Sequence, residues 1–498
     1  MENKKYTVTI GLEIHAELKT KSKMFCSCAN NPDEETPNKN ICPVCLAHPG
    51  TLPVLNSEAI KHVIKVGTSV GGKIADFTEW DRKNYFYPDI PKGYQISQYK
   101  YPLIEGGVLS GVELERIHLE EDTAQSTHDT HEKSLVNYNR SGVPLMELVT
   151  KPVIHDSATA VRFAKELQLL LRYLGAGEAN MEKGEMRVEA NISIASPEDT
   201  ANKKFGTKTE VKNLNSFRAV ERAIEYEIER QSSLLESGES VKQETRGWDD
   251  GAQETYSQRS KESSHDYRYF PDPDIPKLKI SEIKELANET IKNDLPELPW
   301  EKRVRYLKDF SMTETEVAIF VDSPIVSKYF ESIISSFAGD AKKIKLTTNY
   351  ILTDYLGLLK KKKATDSSGT SGQVDETINS IPAKTFTEMI ELLASGDISS
   401  RGAKDILTML IEKGDEYSKN IGPLKSFAEK NGLIQKSDAG SLEPIIAEII
   451  KNNQKVVDEY KAGKVASLQF LIGQAMKITK GSANPEVIKK MLIAQLGI

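Results

Sequence analysis

The sequence predicts an α+β fold, in which a sheet-rich N-terminal part is followed by a helical region. Segments of alternating apolar and polar residues dominate residues 1 to 295, and only two clear helical patterns interrupt them. From Pro296 onward the chain is rich in Ala, Leu, Ile, Lys and Glu at helical spacing. A chain of 498 residues also exceeds the size of one hydrophobic core, so several domains are expected.

Four segments of the N-terminal part predict strands, because apolar side chains occupy every second position. They are TVTIGLEIHAEL, GVELERIHLEE, MRVEANISI and GTKTEVKNL. One helix is predicted after the N-cap residue Asp156 and ends before Gly175, and a second begins near Ser216. Strands grouped with so few helices favour α+β over a doubly wound sheet.

The composition divides the chain into three predicted domains, residues 1–295, 296–400 and 401–498. Within the second, the low-complexity stretch KKKKATDSSGTSG at residues 360–372 predicts a mobile surface loop. The last domain has 15 basic and 11 acidic residues, whereas the whole chain has a net charge of −7. A local basic surface that meets a phosphate backbone is therefore compatible with the acidic total.

The N-terminal sequence MENKKYTVTI contains neither an apolar export signal nor an Arg- and Ser-rich leader. No apolar run approaches the roughly 20 residues that a membrane helix needs. We therefore expect a cytoplasmic protein that has no membrane partner.

Each of the four predicted strands carries a polar stripe that includes a carboxylate. The shared faces hold Glu13, His15 and Glu17; Glu120 and Asp122, with Glu121 opposite; Arg187, Glu189 and Asn191; and Lys208, Glu210 and Lys212. If the strands are neighbours, carboxylates and one imidazole suit Mg²⁺ or Mn²⁺, and the cations beside them suit phosphoryl transfer. The alternative is four solvated strand faces with ordinary salt bridges.

The four cysteines all lie in one short stretch, as CSC at 26–28 and CPVC at 42–45. Cys26, Cys28, Cys42 and Cys45 therefore predict a structural zinc site, in which His48 would be able to replace one sulfur. The alternative is four separate buried thiols. A closed site of four thiolates would leave no open position for catalysis.

Two loop-like segments are dense in Tyr, Arg and Lys, namely residues 81–98 and 265–276. Aromatic rings and guanidinium groups stack on unpaired nucleobases. Simple packing of these loops against the sheet is the alternative.

Six ordered motifs resemble one known family. They are GLEIHAELKT, DRKNYFYPD, GYQISQ, VNYNRSGVPLMELVTKP, TKTEVKNLNSF and DYRYFPDPD. Together they resemble the B subunits of the aspartyl/glutamyl-tRNA(Asn/Gln) amidotransferases. Asn137 stands where this family usually has Asp.

The resemblance implies a catalytic cradle built on an antiparallel sheet, similar to glutamine synthetase, followed by helices and a tail domain that binds tRNA. It implies a heterotrimer with an amidase (A) subunit and a small (C) subunit. In that complex ATP and Mg²⁺ serve to phosphorylate the side-chain carboxylate of misacylated Glu-tRNA(Gln) or Asp-tRNA(Asn). Ammonia from glutamine then gives the amide. Which of the two tRNAs is the substrate stays open.

The resemblance also assigns roles to the polar stripes. Glu13, His15, Glu121 and Glu210 correspond to the catalytic Mg²⁺ ligands, with Glu120 and Glu189 as further candidates. Separately from the resemblance, the positive charges of Lys208, Lys212 and Arg187 on these stripes are expected to neutralise phosphate of ATP. The lysines expected to meet tRNA are Lys455, Lys461, Lys464, Lys477, Lys480, Lys489 and Lys490.

Two other functions fit part of the sequence. A non-catalytic tRNA-binding protein would use the cysteine loop and the lysine-rich tail, and would not depend on Glu13, His15 and Glu210. An archaeal relative of the same family carries an extra inserted domain before the helices, for which this chain has no room.

Overall fold

The computed structural model describes residues 5–128, 133–260, 267–365, 374–435, 439–479 and 483–497. The chain forms two compact units, Met1–Pro299 and Trp300–Ile498. Every strand of the described residues lies in the first unit, and helices make up the second. This confirms the predicted α+β class, whereas the division into three domains stays a prediction.

The strands of the first unit are β1 (Thr7–Glu17), β2 (Lys73–Ile74), β3 (Phe77–Thr78), β4 (Asp81–Asn84), β5 (Tyr94–Ser97), β6 (Ile104–Glu105), β7 (Val108–Leu109), β8 (Val112–Glu121), β9 (Gln125–His128), β10 (Ser134–Asn137), β11 (Pro144–Thr150), β12 (Met186–Ala195), β13 (Thr209–Leu214), β14 (Glu244–Asp249), β15 (Glu254–Ser260), β16 (Phe270–Pro271) and β17 (Leu278–Lys279). Its α-helices are α1 (Ser57–Ser69), α2 (Ser157–Tyr173), α3 (Pro197–Ala201), α4 (Phe217–Glu236) and α5 (Asn288–Asn293). Short 3₁₀ turns follow β17 at Ile280–Glu282 and Lys284–Leu286.

One large sheet organises the first unit, with the strand order β15-β14-β13-β12-β1-β11-β8-β6-β2 and with β7 paired to β8. The pair β13–β14 is parallel, so the sheet is mixed rather than antiparallel as expected. The reason is the connection, because the 20-residue helix α4 carries the chain back before β14 begins. Smaller sheets are β16-β4-β5, β10-β9 and β17-β3.

The central strand β1 lies between β11 and β12. Its residues Leu12 and Ile14 are buried on one face, while Glu13 and His15 are half-buried on the other. In the register, His15 lies opposite Glu147 of β11 and Arg187 of β12. All four predicted strands form and belong to this sheet, where β13, β12 and β1 are adjacent and β8 follows beyond β11.

Helices α2 and α4 pack on each other and against the central strands. Asp156 caps α2 through the Thr159 amide at 2.7 Å, and Gly175 ends it with a φ of +64°. Ser216 caps α4 by accepting the Ala219 amide at 3.0 Å. Both predicted helices are therefore confirmed with their predicted start residues.

Replacing Ser216 by Ala should lower the free energy of unfolding of the chain by about 1 kcal/mol, because the Ala219 amide loses its side-chain acceptor. The denaturant midpoint measures this change. Ser216→Asp is the matched control, since it keeps an acceptor at the N-cap. Equal midpoints for the Ala and Asp variants would contradict the capping role.

The second unit contains thirteen described α-helices, if α6 at its boundary is included. They are α6 (Pro299–Asp309), α7 (Glu314–Val321), α8 (Pro324–Ile334), α9 (Ala341–Asn349), α10 (Leu356–Thr365), α11 (Ala383–Ser395), α12 (Ser400–Lys413), α13 (Asp415–Lys419), α14 (Leu424–Lys430), α15 (Ala439–Asn452), α16 (Gln454–Lys461), α17 (Ala466–Ile478) and α18 (Pro485–Leu496). Single 3₁₀ segments lie at Ser335–Phe337 and Val374–Ser380, and a π-helical segment lies at Tyr350–Tyr355. The last four helices share a core that includes Leu442, Leu471 and Leu492.

The prediction of a loop at residues 360–372 is wrong for residues 360–365. Residues 360–365 continue helix α10, because Lys and Ala are good helix formers. Residues 366–372 lie outside the described residues. Among the helices that the structure describes, none combines the length and the apolar character needed to cross a bilayer.

Candidate functional site

Five neighbouring strands bring acidic and imidazole side chains together on the polar face of the large sheet. We call this group the sheet cluster. Its members are Glu210 of β13, Glu189 of β12, Glu13 and His15 of β1, Glu147 of β11, and His118 and Glu120 of β8. Period-2 alternation turns these side chains to one face, while the aliphatic residues between them form the core.

One half of the sheet cluster joins two imidazoles to two carboxylates. His15 Nε2 lies 3.4 Å from Glu147 Oε2 and 3.7 Å from Glu120 Oε1. His118 Nε2 lies 3.4 Å from Glu147 Oε2 and 3.8 Å from Glu120 Oε2. Burial alone would lower the pKa of both imidazoles, but the hydrogen bonds and charges of the two carboxylates raise each pKa to about 9. The same two imidazoles hold the pKa of Glu147 well below its usual value against the effect of burial.

The other half contains only oxygen donors. Glu13, Glu189 and Glu210 each place a carboxylate oxygen within 4.8 Å of the other two. Burial first, and then the charges of Glu147 and Glu189, raise the pKa of Glu13 to about 7. A divalent cation would relieve this crowding of negative charge.

The geometry of the sheet cluster is therefore suited to a hard divalent cation. Three overlapping sets of three donors each fall within 4.8 Å: Glu13, His15 and Glu147; His118, Glu120 and Glu147; and Glu13, Glu189 and Glu210. Glu13 and Glu147 are shared between sets. Carboxylate oxygens with an occasional imidazole suit Mg²⁺ or Mn²⁺.

Cations flank this cluster, as the sequence predicted in part. Lys212 Nζ lies 2.7 Å from Glu189 Oε2 and 3.7 Å from Glu210 Oε2. Arg187, opposite His15 in the register, donates to Asp122 Oδ2 at 2.9 Å. Lys208 is exposed and directly precedes β13, so the structure does not bring it into the cluster.

Glu121 also lies outside the sheet cluster, although it was predicted as a metal ligand. Its side chain is on the opposite face from Glu120, as strand alternation requires. There it accepts hydrogen bonds from the Ile96 amide at 2.9 Å and from Lys92 Nζ at 2.8 Å. Of the two neighbouring glutamates, Glu120 is the one that faces the cluster.

Sequence reasoning missed Glu147, His118 and Lys83 as members or neighbours of the site. Glu147 is the single acidic residue in the otherwise apolar strand PLMELVT, which reads as a buried strand. His118 shares its strand face with Glu120, a signal that was present in the sequence. Lys83 belongs to β4, and the charges of Glu120 and Glu147 raise its pKa although burial alone would lower it.

The four cysteines meet as predicted, with all four sulfur atoms within 4.8 Å of one another. Cys42 Sγ and Cys45 Sγ are 3.8 Å apart. A hydrogen bond from Cys26 and the charge of Lys23 contribute to lowering the pKa of Cys45 to about 5. This donor set fits a tetrahedral zinc ion without His48, and a thiolate is the form that binds zinc.

Asn137 joins this cysteine loop to the rest of the unit. Its Oδ1 accepts the Asn38 amide at 3.1 Å and the Asn139 amide at 3.1 Å. Both bonds need only an oxygen acceptor, which Asp and Asn each supply. The departure from Asp at this position therefore preserves the contacts that hold the loop.

The two aromatic segments come together in the three-stranded sheet β16-β4-β5. Arg82 of β4 bonds Asp272 at 2.7 Å, and Lys83 Nζ lies 5.0 Å from the centre of the Tyr267 ring. Of the described aromatic side chains in the two segments, Tyr85, Tyr94, Tyr267 and Tyr269 are half-buried, whereas Phe86, Tyr87 and Phe270 are exposed. The described part of the second segment begins at Tyr267, since residues 265 and 266 lie outside the described residues.

Comparison with known proteins identifies the family. A model of the GatB/GatE catalytic domain matches residues 8–285, and a GatB domain model matches residues 328–496. The chain belongs to the B subunit family of the aspartyl/glutamyl-tRNA(Asn/Gln) amidotransferases. The B subunit of this family from Gloeothece citriformis is 39% identical, over 99% of this chain and 98% of its own length.

Two other B subunits of the family show a similar degree of identity. The protein from Thermodesulfovibrio yellowstonii is 40% identical over 98% of each chain. That from Caldicellulosiruptor bescii is 40% identical over 99% of each chain. The similarity therefore spans both compact units.

Proposed function

We propose that this chain is the B subunit of a glutamine-dependent aminoacyl-tRNA amidotransferase, a carbon–nitrogen ligase. It acts on the side-chain carboxylate of Glu-tRNA(Gln), of Asp-tRNA(Asn) or of both. The observation that carries this proposal is the sheet cluster with its flanking cations. Full-length similarity to known B subunits at about 40% identity supports it.

The chemistry requires activation because a carboxylate does not react with ammonia at neutral pH. A carboxylate oxygen attacks the γ-phosphorus of ATP, and ADP leaves, which gives an acyl phosphate. Ammonia then attacks the acyl carbon, phosphate leaves, and the excess proton of the nitrogen is lost. Excluding water from the site protects the acyl phosphate from hydrolysis.

In this proposal the residues of the sheet cluster hold Mg²⁺, with Glu13, His15, Glu120, Glu147, Glu189 and Glu210 as the candidate ligands. When bound, the ion would neutralise phosphate charge and orient the phosphates of ATP. Lys212 and Arg187 lie beside the cluster and stabilise the negative charge that develops on the transferred phosphoryl group.

The partners of the chain follow from its family. The amidase subunit supplies ammonia from glutamine, and a small C subunit completes the heterotrimer. The predicted tail domain, residues 401–498, contacts tRNA, because its last four helices carry exposed lysines, including Lys455, Lys461, Lys464 and Lys477. Lys480 lies outside the described residues. We place the complex in the cytoplasm, where translation takes place.

Amide formation on tRNA by the reconstituted complex tests the proposal. The full chain is purified with its two partner subunits and supplied with glutamine, Mg·ATP and Glu-tRNA(Gln) or Asp-tRNA(Asn). Wild type should form the amide only with ATP present. Glu210→Gln should reduce the rate by about 100-fold, because the proposed Mg²⁺ site loses a carboxylate ligand.

Glu113→Gln is the matched control, since Glu113 lies on the same sheet but pairs at the surface with Lys151. It should leave the rate unchanged. If wild type bound both tRNAs yet formed no amide from either, the catalytic proposal would fail and a tRNA-binding protein would remain.

A further inference from the structure

Two tyrosines form a parallel stack at the edge of the site. The rings of Tyr99 and Tyr269 are 4.3 Å apart between centroids, with an interplanar angle of 8°. Tyr269 is half-buried, whereas Tyr99 is 52% exposed. The inner ring is thus backed by the protein, and the outer ring borders the solvent.

The two residues that precede Tyr99 in the chain contact the strand that carries Glu120. Ser97 Oγ donates to Glu120 Oε2 at 2.9 Å, and Gln98 Oε1 accepts the Leu119 amide beside Glu120 at 3.0 Å. Tyr99 is the next residue. Consecutive Cα atoms are about 3.8 Å apart. The Cα atom of Tyr99 therefore lies within roughly 8 Å of the Cα atom of Ser97, whose hydroxyl bonds Glu120.

The position of Tyr99 is also fixed. Its amide donates to Asp81 Oδ2 at 2.9 Å, and Asp81 is buried. The preceding Gln98 also donates to Thr78 Oγ1 at 2.6 Å. These contacts hold the backbone at Tyr99, and Tyr269 supports one face of its ring. The residue therefore loses little conformational freedom when a flat ligand stacks on the other face.

We propose that the Tyr99–Tyr269 stack is the platform on which the adenine ring of a substrate nucleotide binds. This inference rests on the proposed function, which brings two adenines to the sheet cluster. One is the 3′-terminal adenosine of tRNA, whose ribose carries the reacting amino acid. The other belongs to ATP. Aromatic side chains stack on the π-face of any base, which suits an unpaired terminal nucleotide.

The exposure of the outer ring favours the terminal adenosine as the occupant, because an unpaired tRNA end can stack on Tyr99 from the solvent. Its base is separated from the reacting carboxylate by one ribose and one amino acid. The adenine of ATP is separated from the transferred phosphoryl group by a ribose and two further phosphates. The two linkers are nearly equal in length, so either adenine reaches a platform beside the residues that contact Glu120, and the open outer face of Tyr99 is what favours the tRNA end.

Two binding measurements on the complex with its partner subunits test this inference. The first uses tRNA with 2-aminopurine in place of the terminal adenine, because the fluorescence of 2-aminopurine is quenched when it stacks. The second measures ATP affinity by equilibrium dialysis. Each compares wild type with Tyr99→Leu and Tyr99→Phe. Tyr256→Leu is the matched control, since Tyr256 is 44% exposed on the edge strand β15.

We expect Tyr99→Leu to abolish the quenching and to weaken tRNA binding roughly 5- to 150-fold, the effect of losing one base stack. ATP affinity should not change. Tyr99→Phe and Tyr256→Leu should behave like wild type. A loss of ATP affinity alone would support the adenine platform with ATP as its occupant.

Unchanged quenching and unchanged ATP affinity in Tyr99→Leu would overturn the inference. Neither measurement requires turnover. The inference about the stack can therefore be wrong even if wild type forms the amide. It can also be correct even if wild type forms no amide. Thermal unfolding of Tyr99→Leu checks that its fold is intact.

Discussion

Replacing Glu147 by Gln should reduce amide formation by roughly 1,000-fold or more, the largest effect that we expect from a single side chain. Glu147 belongs to two of the three candidate donor sets and contacts both imidazoles at 3.4 Å. Gln keeps the shape of the side chain but removes the charge. The measurement is the rate of amide formation in the reconstituted complex.

The same substitution should change the titration of two histidines. The charge of Glu147 helps to raise the pKa of His15 and His118 to about 9 from about 6.5. In the presence of a chelator, Glu147→Gln should move both pKa values toward 6.5. NMR titration of the imidazole resonances measures this shift.

A consequence for stability follows from the sign of these shifts. A raised imidazole pKa stabilises the folded state below the unfolded pKa, and this stabilisation disappears as the pH rises through the folded pKa. Metal-free wild type should therefore exceed Glu147→Gln in unfolding free energy near pH 6.5. The difference contributed by the imidazoles should vanish above about pH 9.

Glu113→Gln controls for the loss of an acidic side chain on the same sheet, because its partner Lys151 is at the surface. A Glu147→Gln variant with normal rate and unchanged imidazole titration would show that Glu147 has no part in the site. A normal rate with shifted titration would limit Glu147 to a structural role.

Replacing Cys45 by Ser should abolish zinc binding. Loss of a residue that only hydrogen-bonds a metal ligand lowers metal affinity roughly 10- to 100-fold, and loss of the ligand itself should cost more. Cys45 is the most buried of the four cysteines, and Ser does not supply a thiolate. The loop between the cysteine pairs is polar and has little core of its own. We therefore expect zinc loss to be accompanied by a lower melting temperature and by cleavage within residues 26–45 in limited proteolysis.

His48→Ala is the control for this prediction. His48 follows the second cysteine pair but is absent from the group of four sulfurs that meet in the structure. It should keep one zinc per chain in metal analysis. If His48→Ala lost zinc while Cys45→Ser retained it, the site would have three sulfurs and one imidazole instead.

The sequence predicted much of the site because strand alternation is a local property. Glu13, His15, Glu189 and Glu210 lie where a period of two places them, on one face of neighbouring strands. The same rule put Glu120 and Glu121 on opposite faces, and the structure agrees. The family resemblance alone placed Glu121 among the metal ligands.

Other parts depended on which segments become neighbours. Strand β11 inserts between β1 and β8 and brings Glu147 to the centre of the cluster. The apolar run PLMELVT predicts a buried strand, but it does not specify which strands lie on either side of it. The parallel pair β13–β14 likewise follows from the path of α4, which strand patterns do not specify.

The sequence by itself determined the α+β class, the four strands with their polar stripes, the caps of α2 and α4, and the cysteine quartet. These features depend on side-chain periodicity and on residues close together in the chain. The tertiary structure alone decided that Glu147 completes the cluster, that Lys208 stays outside it, and that Tyr99 stacks on Tyr269. Each of these depends on strand order and on contacts between residues far apart in the chain, because such pairings are fixed by packing of the whole unit.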